Sequence, residues 1–383
     1  MKEAPGVDIV HSAEIVVVGA GAVGCSIAYW LAKRGKEVTL IDRAGPGAGS
    51  STANFGLAWV HTKEPHTYME LSLRSSLLWP QMVEELGEDV ELRHGKGGIQ
   101  LLFSEAECLA AEAMLARQRR SPLFEGRLLT PLEVFDLQPG VSRQIAGATW
   151  SPHDADCNPI KWTYALARGC RRLGVRIMTD AEVTGFDLDG GGQVTGVVTR
   201  QGRIATRCVV NAAGVAAPEL GKMVGVELGL SPERGQLLVT ERAPMICPLP
   251  MSWMRQMPSG QFLLGTTFED AGLDLSTTVE GARSVLRRAV AMVPSVRSLS
   301  IVRQFAGLRP MPKDGLPFLG PVPHVPGYYV AVGHSGNTLS PIYGKVISDL
   351  IVEGRTDVPI EDYDPLRYDP RGTRGGAEVR YGH

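Results

Sequence analysis

Apolar residues near the start of the chain follow a strand–helix–strand pattern. Residues 14–18 contain the run Ile-Val-Val-Val, which is typical of a buried strand. Residues 22–34 have helical periodicity, and Gly35 follows them as a common helix-ending residue. Residues 37–42 (Glu-Val-Thr-Leu-Ile-Asp) predict a second strand. Such a βαβ unit is the usual start of a parallel sheet.

The rest of the chain alternates between helical and strand periodicity. Helices are predicted at residues 67–86, 105–120, 159–173, 278–293 and 341–353, and strands at 97–103, 175–178, 193–200, 204–210, 235–240, 262–267, 302–308 and 328–332. The alternation predicts an α/β fold (α+β overall) with two interleaved domains. A nucleotide-binding domain would comprise residues 1–90, 150–220 and 305–368, and a β-rich domain residues 91–149 and 221–304. Residues 369–383, rich in Gly and Arg, predict a disordered tail.

The composition excludes several classes of protein. Lys+Arg total 39 against 41 Asp+Glu, which argues against a protein that mainly binds nucleic acid. Residues 15–32 are 18 residues without a charge, the lower limit of a membrane span, but their glycines favour a strand–turn–helix instead. We therefore expect no integral membrane segment. The six cysteines lack metal-site spacing and no signal-peptide pattern is present, so we expect a cytoplasmic protein without a metal site.

A G-x-G-x-x-G sequence joins the first predicted strand to the first predicted helix. Gly19 permits a tight turn, Gly21 lets the backbone approach a pyrophosphate, and Gly24 lets the helix pack on the strand. The free N–H groups at the helix start then face the anion. A glycine-rich turn without a ligand is the alternative, but strand, motif and helix stand in the register of a dinucleotide site.

The second predicted strand ends in an acid, Asp42, 18 residues after Gly24. A carboxylate at this point accepts hydrogen bonds from ribose hydroxyls, which favours FAD or NAD over NADP. Arg43 follows directly; it would suit a 2′-phosphate, or it is a solvated loop charge. The pattern predicts a dinucleotide whose adenosine ribose carries no 2′-phosphate.

Four further segments, rich in glycine or small residues, are residues 45–56, 209–214 (Val-Val-Asn-Ala-Ala-Gly), 307–320 and 333–341. Together with the motif, and in this order, they resemble the D-amino acid oxidase superfamily of FAD enzymes. Within it the chain looks most like glycine/sarcosine oxidases and the β subunits of opine, D-hydroxyproline and proline dehydrogenases. The resemblance implies a Rossmann-like FAD-binding domain interleaved with a β-rich substrate domain.

The resemblance also implies which residues bind the cofactor. They are Gly19, Gly21, Ala22, Val23, Gly24, Asp42, Arg43, Ser50, Ser51, Asn54, Gly56, Leu57, Val183, Ala212, Ala213, Gly214, Gly307, Gly333, His334, Gly336, Asn337 and Thr338. Some relatives attach the flavin through a cysteine where this chain has Met311, so we expect non-covalent FAD. N–H groups at the start of the predicted helix 341–353 are expected to stabilise reduced flavin, although an ordinary strand-to-helix turn has the same composition.

Five residues are candidates for the substrate end. The resemblance places Arg309 where relatives hold the substrate carboxylate, a role that suits the planar guanidinium fork; a salt-bridged structural arginine is the alternative. Trp253 and Phe268 would line the substrate pocket, or simply pack in the core. Arg255 would hold a second carboxylate, or be a surface charge. His61 would orient substrate or tune charge, or be a packing histidine.

These features predict an FAD-dependent oxidation of a small carboxylate-bearing amine at the carbon next to nitrogen. The product would be an imine that hydrolyses in water. Two alternatives remain: a 2-hydroxy acid or polyol dehydrogenase, and an FAD-carrying β subunit that is inactive without its partners. In the last case, other subunits would carry the electrons away and could hold the chain at the inner membrane.

Overall fold

A computed structural model describes residues 9–369, and residues 370–383 of the predicted tail lie outside the described residues. Asp369 is buried, and its carboxylate accepts a hydrogen bond from the Glu227 N–H (3.3 Å). The helices are α1 (Ala22–Lys33), α2 (His66–Leu86), α3 (Glu105–Gln118), α4 (Pro131–Leu137), α5 (Pro159–Arg172), α6 (Ala217–Met223), α7 (Val279–Met292) and α8 (Gly336–Glu353).

The strands, in chain order, are β1 (Ile9–Ser12), β2 (Ile15–Val18), β3 (Val38–Ile41), β4 (Leu57–Ala58), β5 (Gly98–Leu102), β6 (Arg127–Leu129), β7 (Gly147–Ser151), β8 (Ala155–Asp156), β9 (Arg176–Met178), β10 (Val183–Leu188), β11 (Val194–Thr199), β12 (Gly202–Ala205), β13 (Val209–Asn211), β14 (Leu230–Arg242), β15 (Met254–Gln256), β16 (Gln261–Gly265), β17 (Ile301–Pro312), β18 (Phe318–Pro321) and β19 (Tyr328–Val332). The predicted βαβ start corresponds to β2, α1 and β3 within a residue or two. The uncharged residues 15–32 are thus divided between a strand and a helix.

A six-stranded sheet in the order β18–β19–β13–β2–β3–β9 organises the nucleotide-binding half. Its strands are parallel except β18, which runs antiparallel to β19. In β2, Ile15 and Val17 face one hydrophobic core while Val16 and Val18 face another. Successive side chains of a strand point to opposite faces, so a sheet covered on both sides needs a continuous apolar run.

Helices cover one face of this sheet and a second sheet covers the other. The first core contains residues of α1, α2, α5 and α8, and the second contains residues of α6 and of the four-stranded sheet β1–β12–β11–β10. In α8, Gly344 faces α1 so closely that a Cβ would lie 2.2 Å from Trp30 Cδ1. These two helices therefore require a glycine at their contact.

A four-stranded antiparallel sheet, β15–β16–β14–β17, forms the other half of the molecule, together with the three-stranded sheet β5–β7–β6. Helix α7 contributes Val285 and Ala289 to the core between them. Strand β17 pairs with β14 along Ile301–Pro312. The predicted domain boundary at residue 305 falls inside this strand, and the division into interleaved domains stays a prediction.

Candidate active site

A cavity of about 850 Å³ lies between the two halves, where the carboxyl ends of the parallel strands meet β14 and β17. This edge of an open parallel sheet is the usual position of a ligand site. The predicted cofactor residues that line it are Gly19, Gly21, Val23, Asp42, Arg43, Ser50, Ser51, Asn54, Leu57, Val183, Ala212, Ala213, Gly214, Gly307, Gly333, His334, Gly336, Asn337 and Thr338. Ala22, Gly24 and Gly56 shape its wall from behind.

The turn between β2 and α1 has no room for side chains. Gly19 has φ +106°, and a Cβ there would lie 2.5 Å from the carbonyl oxygen of Ala212. A Cβ on Gly24 would lie 1.8 Å from the Gly19 carbonyl oxygen, and one on Gly21 would lie 2.7 Å from Ser51 Oγ. The helix therefore begins in direct contact with the strand, and the turn leaves open the space that a pyrophosphate would take.

Ser51 connects the loop after β3 to the start of α1. Its Oγ accepts a hydrogen bond from the Ala22 N–H (2.9 Å). The contact fixes the loop that carries Ser50 and Ser51 against the phosphate-binding turn.

Asp42 lies at the cavity edge directly after β3 and holds its own loop. One carboxylate oxygen accepts from the Ala20 N–H (2.8 Å), and the other accepts from the N–H groups of Ala44 (2.8 Å) and Gly45 (2.9 Å). The oxygen that accepts only from Ala20 keeps a second lone pair for a ribose hydroxyl. Arg43 is beside it on the cavity wall.

The loop before β4 is held by side chains that also line the cavity. Asn54 Nδ2 donates to the carbonyl oxygens of Ser50 (3.1 Å) and Ser51 (2.8 Å), and Asn54 Oδ1 accepts from the Gly56 N–H (2.7 Å). Gly56 has φ +73°, and a Cβ there would lie 2.1 Å from the Cys157 carbonyl oxygen. Gly56 therefore serves close packing behind the cavity rather than direct cofactor contact.

Helix α8 begins at Gly336, five residues before the predicted start at Pro341. Proline lacks an N–H, so the carbonyl of Asn337 loses its helical donor. The Ser340 hydroxyl replaces that donor, at 3.0 Å from the Asn337 carbonyl oxygen. Because the helix tolerates Pro341 in this way, its N-terminus lies inside the glycine-rich loop and faces the cavity.

The first turn of α8 is joined to β4. Asn337 Nδ2 and Thr338 Oγ1 donate to the Leu57 carbonyl oxygen at 3.0 and 3.2 Å. Thr338 Oγ1 also accepts from the Trp59 N–H (3.0 Å). The predicted contact loops of the cofactor, distant in sequence, thus form one continuous wall.

The residues present fit FAD. A side-chain-free turn at a helix start, an acid at the end of the second strand, and a long cavity reaching a second helix start at Gly336 match its pyrophosphate, ribose and flavin in turn. Met311 is on β17, and no cysteine is among the residues that line this cavity. Non-covalent binding stays a prediction.

Arg309 lines the cavity from strand β17. Its Nη1 donates to Glu233 Oε1 (3.0 Å) and the Thr267 carbonyl oxygen (3.1 Å), and its Nη2 donates to Thr266 Oγ1 (2.6 Å). The guanidinium carbon lies 4.7 Å from the ring centre of Phe268. Burial lowers the pKa of Arg309, and the Glu233 carboxylate opposes that shift. The guanidinium is therefore a fixed, partly neutralised cation at the cavity wall.

Two aromatic rings stand beside Arg309. Trp253 and Phe268 both line the cavity, with ring centres 5.7 Å apart and an angle of 81° between the rings. Phe268 is 41% exposed, which argues against simple core packing. Gly235 leaves room for this arrangement, because a Cβ there would lie 2.4 Å from Arg309 Nη2.

Arg255 is not at the cavity, and neither of its predicted roles is correct. It is 2% exposed, and its Nη1 donates to Asp156 Oδ2 (2.7 Å). Asp156 also pairs with Arg93, whose Nε donates to Oδ1 (2.8 Å). Strand β15 begins only at Met254, so Trp253 belongs to the preceding turn. The strand alternation that would place Trp253 and Arg255 on one face therefore does not apply.

His61 is fully buried and does not line the cavity. Its Nδ1 is bonded to the Asp154 carboxylate, and its Nε2 lies 2.7 Å from Thr149 Oγ1. Asp154 also accepts from the Val60 N–H (2.6 Å). The histidine therefore holds the loop between Trp59 and Thr62 in place, which is the packing alternative.

The sequence analysis missed Lys63, which lines the cavity two residues after His61. Its Nζ donates to Tyr68 OH (3.4 Å) and to Ser335 Oγ, and burial lowers its pKa to about 7. Burial also lowers the pKa of His334 well below its ordinary value, and the charges of Lys63 and Arg309 lower it further. The sequence signal that could have identified Lys63 was its position as a basic residue shortly after the predicted cofactor segment 45–56.

The cavity and its two helix starts agree with what sequence comparison finds. The family profile described as "DAO: FAD dependent oxidoreductase" matches residues 14–350. The chain belongs to the DAO family of FAD-dependent oxidoreductases. This DAO-family chain is an enzyme whose cofactor is FAD, as the motifs predicted.

Two curated relatives and one solved structure span nearly the whole of this DAO-family chain. Hydrogen cyanide synthase subunit HcnC of Pseudomonas protegens is 30% identical, over 93% of this chain and 96% of its own. One of the subunits of opine oxidase from Rhizobium meliloti is 28% identical, over 94% and 98%. The crystal structure of glycine oxidase from Geobacillus kaustophilus matches with a TM-score of 0.86 at 27% identity, over 93% and 99%. The predicted resemblance and fold class are confirmed.

No helix within residues 9–369 has the length and apolar character of a membrane crossing. Within the same residues, no group of three or more His, Cys, Asp or Glu side chains is arranged to hold a metal ion.

Proposed function

We propose that this enzyme oxidises the carbon next to nitrogen in a small amino or imino acid, such as an opine, proline or hydroxyproline, glycine or sarcosine. The observation that carries the proposal is the position of Arg309. Its guanidinium lies against the ring of Phe268 at the end of the FAD cavity where the start of α8 also lies. When bound, FAD supplies the acceptor for a hydride at N5.

The chain's own residues would bind and orient the substrate. Arg309 pairs with the substrate carboxylate through charge-assisted hydrogen bonds, while Trp253 and Phe268 form an apolar wall beside the reacting carbon. His334 is neutral at physiological pH because its pKa is lowered, so it adds no further positive charge beside Lys63 and Arg309. The amine would react in its unprotonated form, because its nitrogen lone pair becomes the second C–N bond of the imine as the hydride leaves. The imine product hydrolyses in water without a protein nucleophile.

A role that depends on partner subunits is the second candidate, and the names of two relatives favour it. HcnC and the opine oxidase relative are both named as subunits of larger enzymes, and each aligns with almost the whole chain. By analogy, this chain would carry FAD and pass electrons to partner subunits, in the cytoplasm or at the inner membrane. Activity of the purified single chain with an artificial dye acceptor would exclude dependence on partners.

The test is an anaerobic screen of the FAD-loaded protein. Amino acids and their hydroxy analogues (glycine and glycolate, alanine and lactate) are compared as matched pairs, and bleaching of the flavin band near roughly 450 nm is recorded. We expect bleaching with members of the amine panel, which also includes sarcosine, prolines and opines. Bleaching by hydroxy acids or polyols alone would refute amine oxidation and favour the alcohol dehydrogenase alternative.

The role of Arg309 is tested by Arg309→Ala against the control Arg303→Ala, which is exposed on the same strand. Loss of a charge-assisted contact should raise KM for the carboxylate substrate on the order of 10- to 100-fold. FAD content should stay unchanged because the side chain of Arg309 is bonded to Glu233, Thr266 and Thr267 and to no residue of the phosphate-binding turn. Equal kinetics of the two variants would contradict the assignment.

A further inference from the structure

Two cations line the end of the cavity that carries the aromatic rings, and their charges are compensated differently. Arg309 has a carboxylate partner, Glu233, at 3.0 Å. Lys63 has no carboxylate within 4.0 Å among residues 9–369. The charges of both act on His334, which places them around the same part of the cavity.

Two acids are candidates to pair with Lys63, and both are bonded to other residues. Glu64, its neighbour in sequence, pairs with Arg117 at 2.6 Å. Asp154 is bonded to His61 and accepts the Val60 N–H at 2.6 Å. Neither carboxylate forms an ion pair with Lys63, so its amino group lines the cavity without a carboxylate partner from the described residues.

The neighbours of Lys63 add to this positive potential. Its Nζ is bonded to Ser335 Oγ, and Ser335 directly precedes the first residue of α8. A helix start carries a partial positive charge and favours anions, so a lysine there is of the unfavourable sign. Its other partner, Tyr68 OH, is neutral, because burial raises the pKa of that phenol to about 12. An anion from outside the chain would compensate this site.

We propose that Lys63 binds a second carboxylate of the substrate. The inference rests on the proposed function and narrows it to amines with two carboxylates. Arg309 would hold the carboxylate next to the reacting carbon, and Lys63 the distal one on the other branch of the nitrogen. The sequence suggested Arg255 for the second carboxylate, but Arg255 is buried in an ion pair with Asp156. We assign that second anion site to Lys63 instead.

The experiment uses ligand pairs that differ by one carboxylate. Diglycolate and methoxyacetate cannot be oxidised as amines, and their binding to the FAD-loaded protein is followed through the flavin spectrum. Iminodiacetate and sarcosine are the corresponding amines, compared by anaerobic flavin reduction. The variants are Lys63→Met, the conservative Lys63→Arg, and Lys36→Met, a lysine that pairs with Glu14 outside the cavity.

We expect diglycolate to bind the native protein about 10- to 100-fold more tightly than methoxyacetate, the range for one charge-assisted contact. Lys63→Met should abolish that preference, while Lys63→Arg and Lys36→Met should retain it, and iminodiacetate should follow diglycolate. Equal binding of both ligands to the native protein, or equal weakening of both by Lys63→Met, would overturn the inference. A change of flavin potential alone in Lys63→Met would also overturn it.

The ligand pairs separate this inference from the function on which it rests. If diglycolate is preferred through Lys63 but no amine reduces the flavin, the dicarboxylate site stands and amine oxidation fails. If sarcosine and iminodiacetate reduce the flavin equally well in native protein and Lys63→Met, amine oxidation stands and the role of Lys63 fails.

Discussion

Asp156 compensates one buried and one half-buried guanidinium group, and this makes its replacement more damaging than that of either arginine. Asp156 is fully buried, Arg255 is 2% exposed, and Arg93 is 17% exposed. Arg93 binds both carboxylate oxygens, whereas Arg255 binds one. Arg255 Nε is buried and has no hydrogen-bond partner within residues 9–369.

Asp156→Asn leaves two cations without a charge partner and turns one acceptor into an N–H donor. Removal of one member of a buried pair costs about 3–5 kcal/mol, and we expect a loss of this size. Arg255→Met removes the cation with the orphaned Nε and leaves the two-point pair of Arg93 and Asp156 intact. Its cost should be about 1 kcal/mol, because a packed methionine replaces most of the buried side chain.

The assay is thermal unfolding at saturating FAD, followed by flavin fluorescence. At no more than about 2–4 °C per kcal/mol for a chain of this size, Asp156→Asn should lower Tm by roughly 5–15 °C and Arg255→Met by less than about 4 °C. Asp187→Asn, an acid of a partly exposed pair with Arg203, is the control and should change Tm little. If Arg255→Met proves more damaging than Asp156→Asn, the charge argument is wrong.

The substitution should also weaken FAD binding. Asp156 pairs with Leu57 between β8 and β4, and the Leu57 carbonyl oxygen accepts from Asn337 and Thr338 at the start of α8. A displaced β8 therefore shifts the wall of the cavity. We expect the Kd for FAD to rise in Asp156→Asn and to stay close to the native value in Asp187→Asn.

Two further predictions concern the phosphate-binding turn and Lys63. Gly24→Ala places a methyl group 1.8 Å from the Gly19 carbonyl oxygen, so the purified variant should lack flavin absorbance. The control Gly190→Ala has open space around the new methyl group and should retain flavin absorbance. Native flavin content in Gly24→Ala would contradict this argument. Burial lowers the pKa of Lys63 from 10.5 to about 7, so the unfolded chain binds the extra proton between these pH values. Native protein should therefore gain stability relative to Lys63→Met as pH rises across that window, despite the opposing charge of Asp154, and a Tm difference independent of pH would refute this.

The local parts of the fold and of the cofactor site could be predicted from the sequence. Gly19, Gly21 and Gly24 act within one turn, and the apolar run before them is continuous because both faces of the sheet are covered. Asp42 lies directly after the second strand of the same βαβ unit. These features depend on residues that are close in the sequence, so the spacing of those residues is enough to predict them.

The tertiary structure decided what depends on distant partners. Arg255 is buried because Asp156, 99 positions earlier, neutralises it. Lys63 is a candidate anion site because no acid in the described part of the chain pairs with it, while Ser335, 272 positions later, is bonded to it. Helix α8 starts at Gly336 and not at the predicted Pro341, because the Ser340 hydroxyl donates to the carbonyl that Pro341 leaves without a donor. Charge compensation and burial depend on all residues that are close in space. The spacing of residues along the chain does not show which distant residues become neighbours in the folded protein.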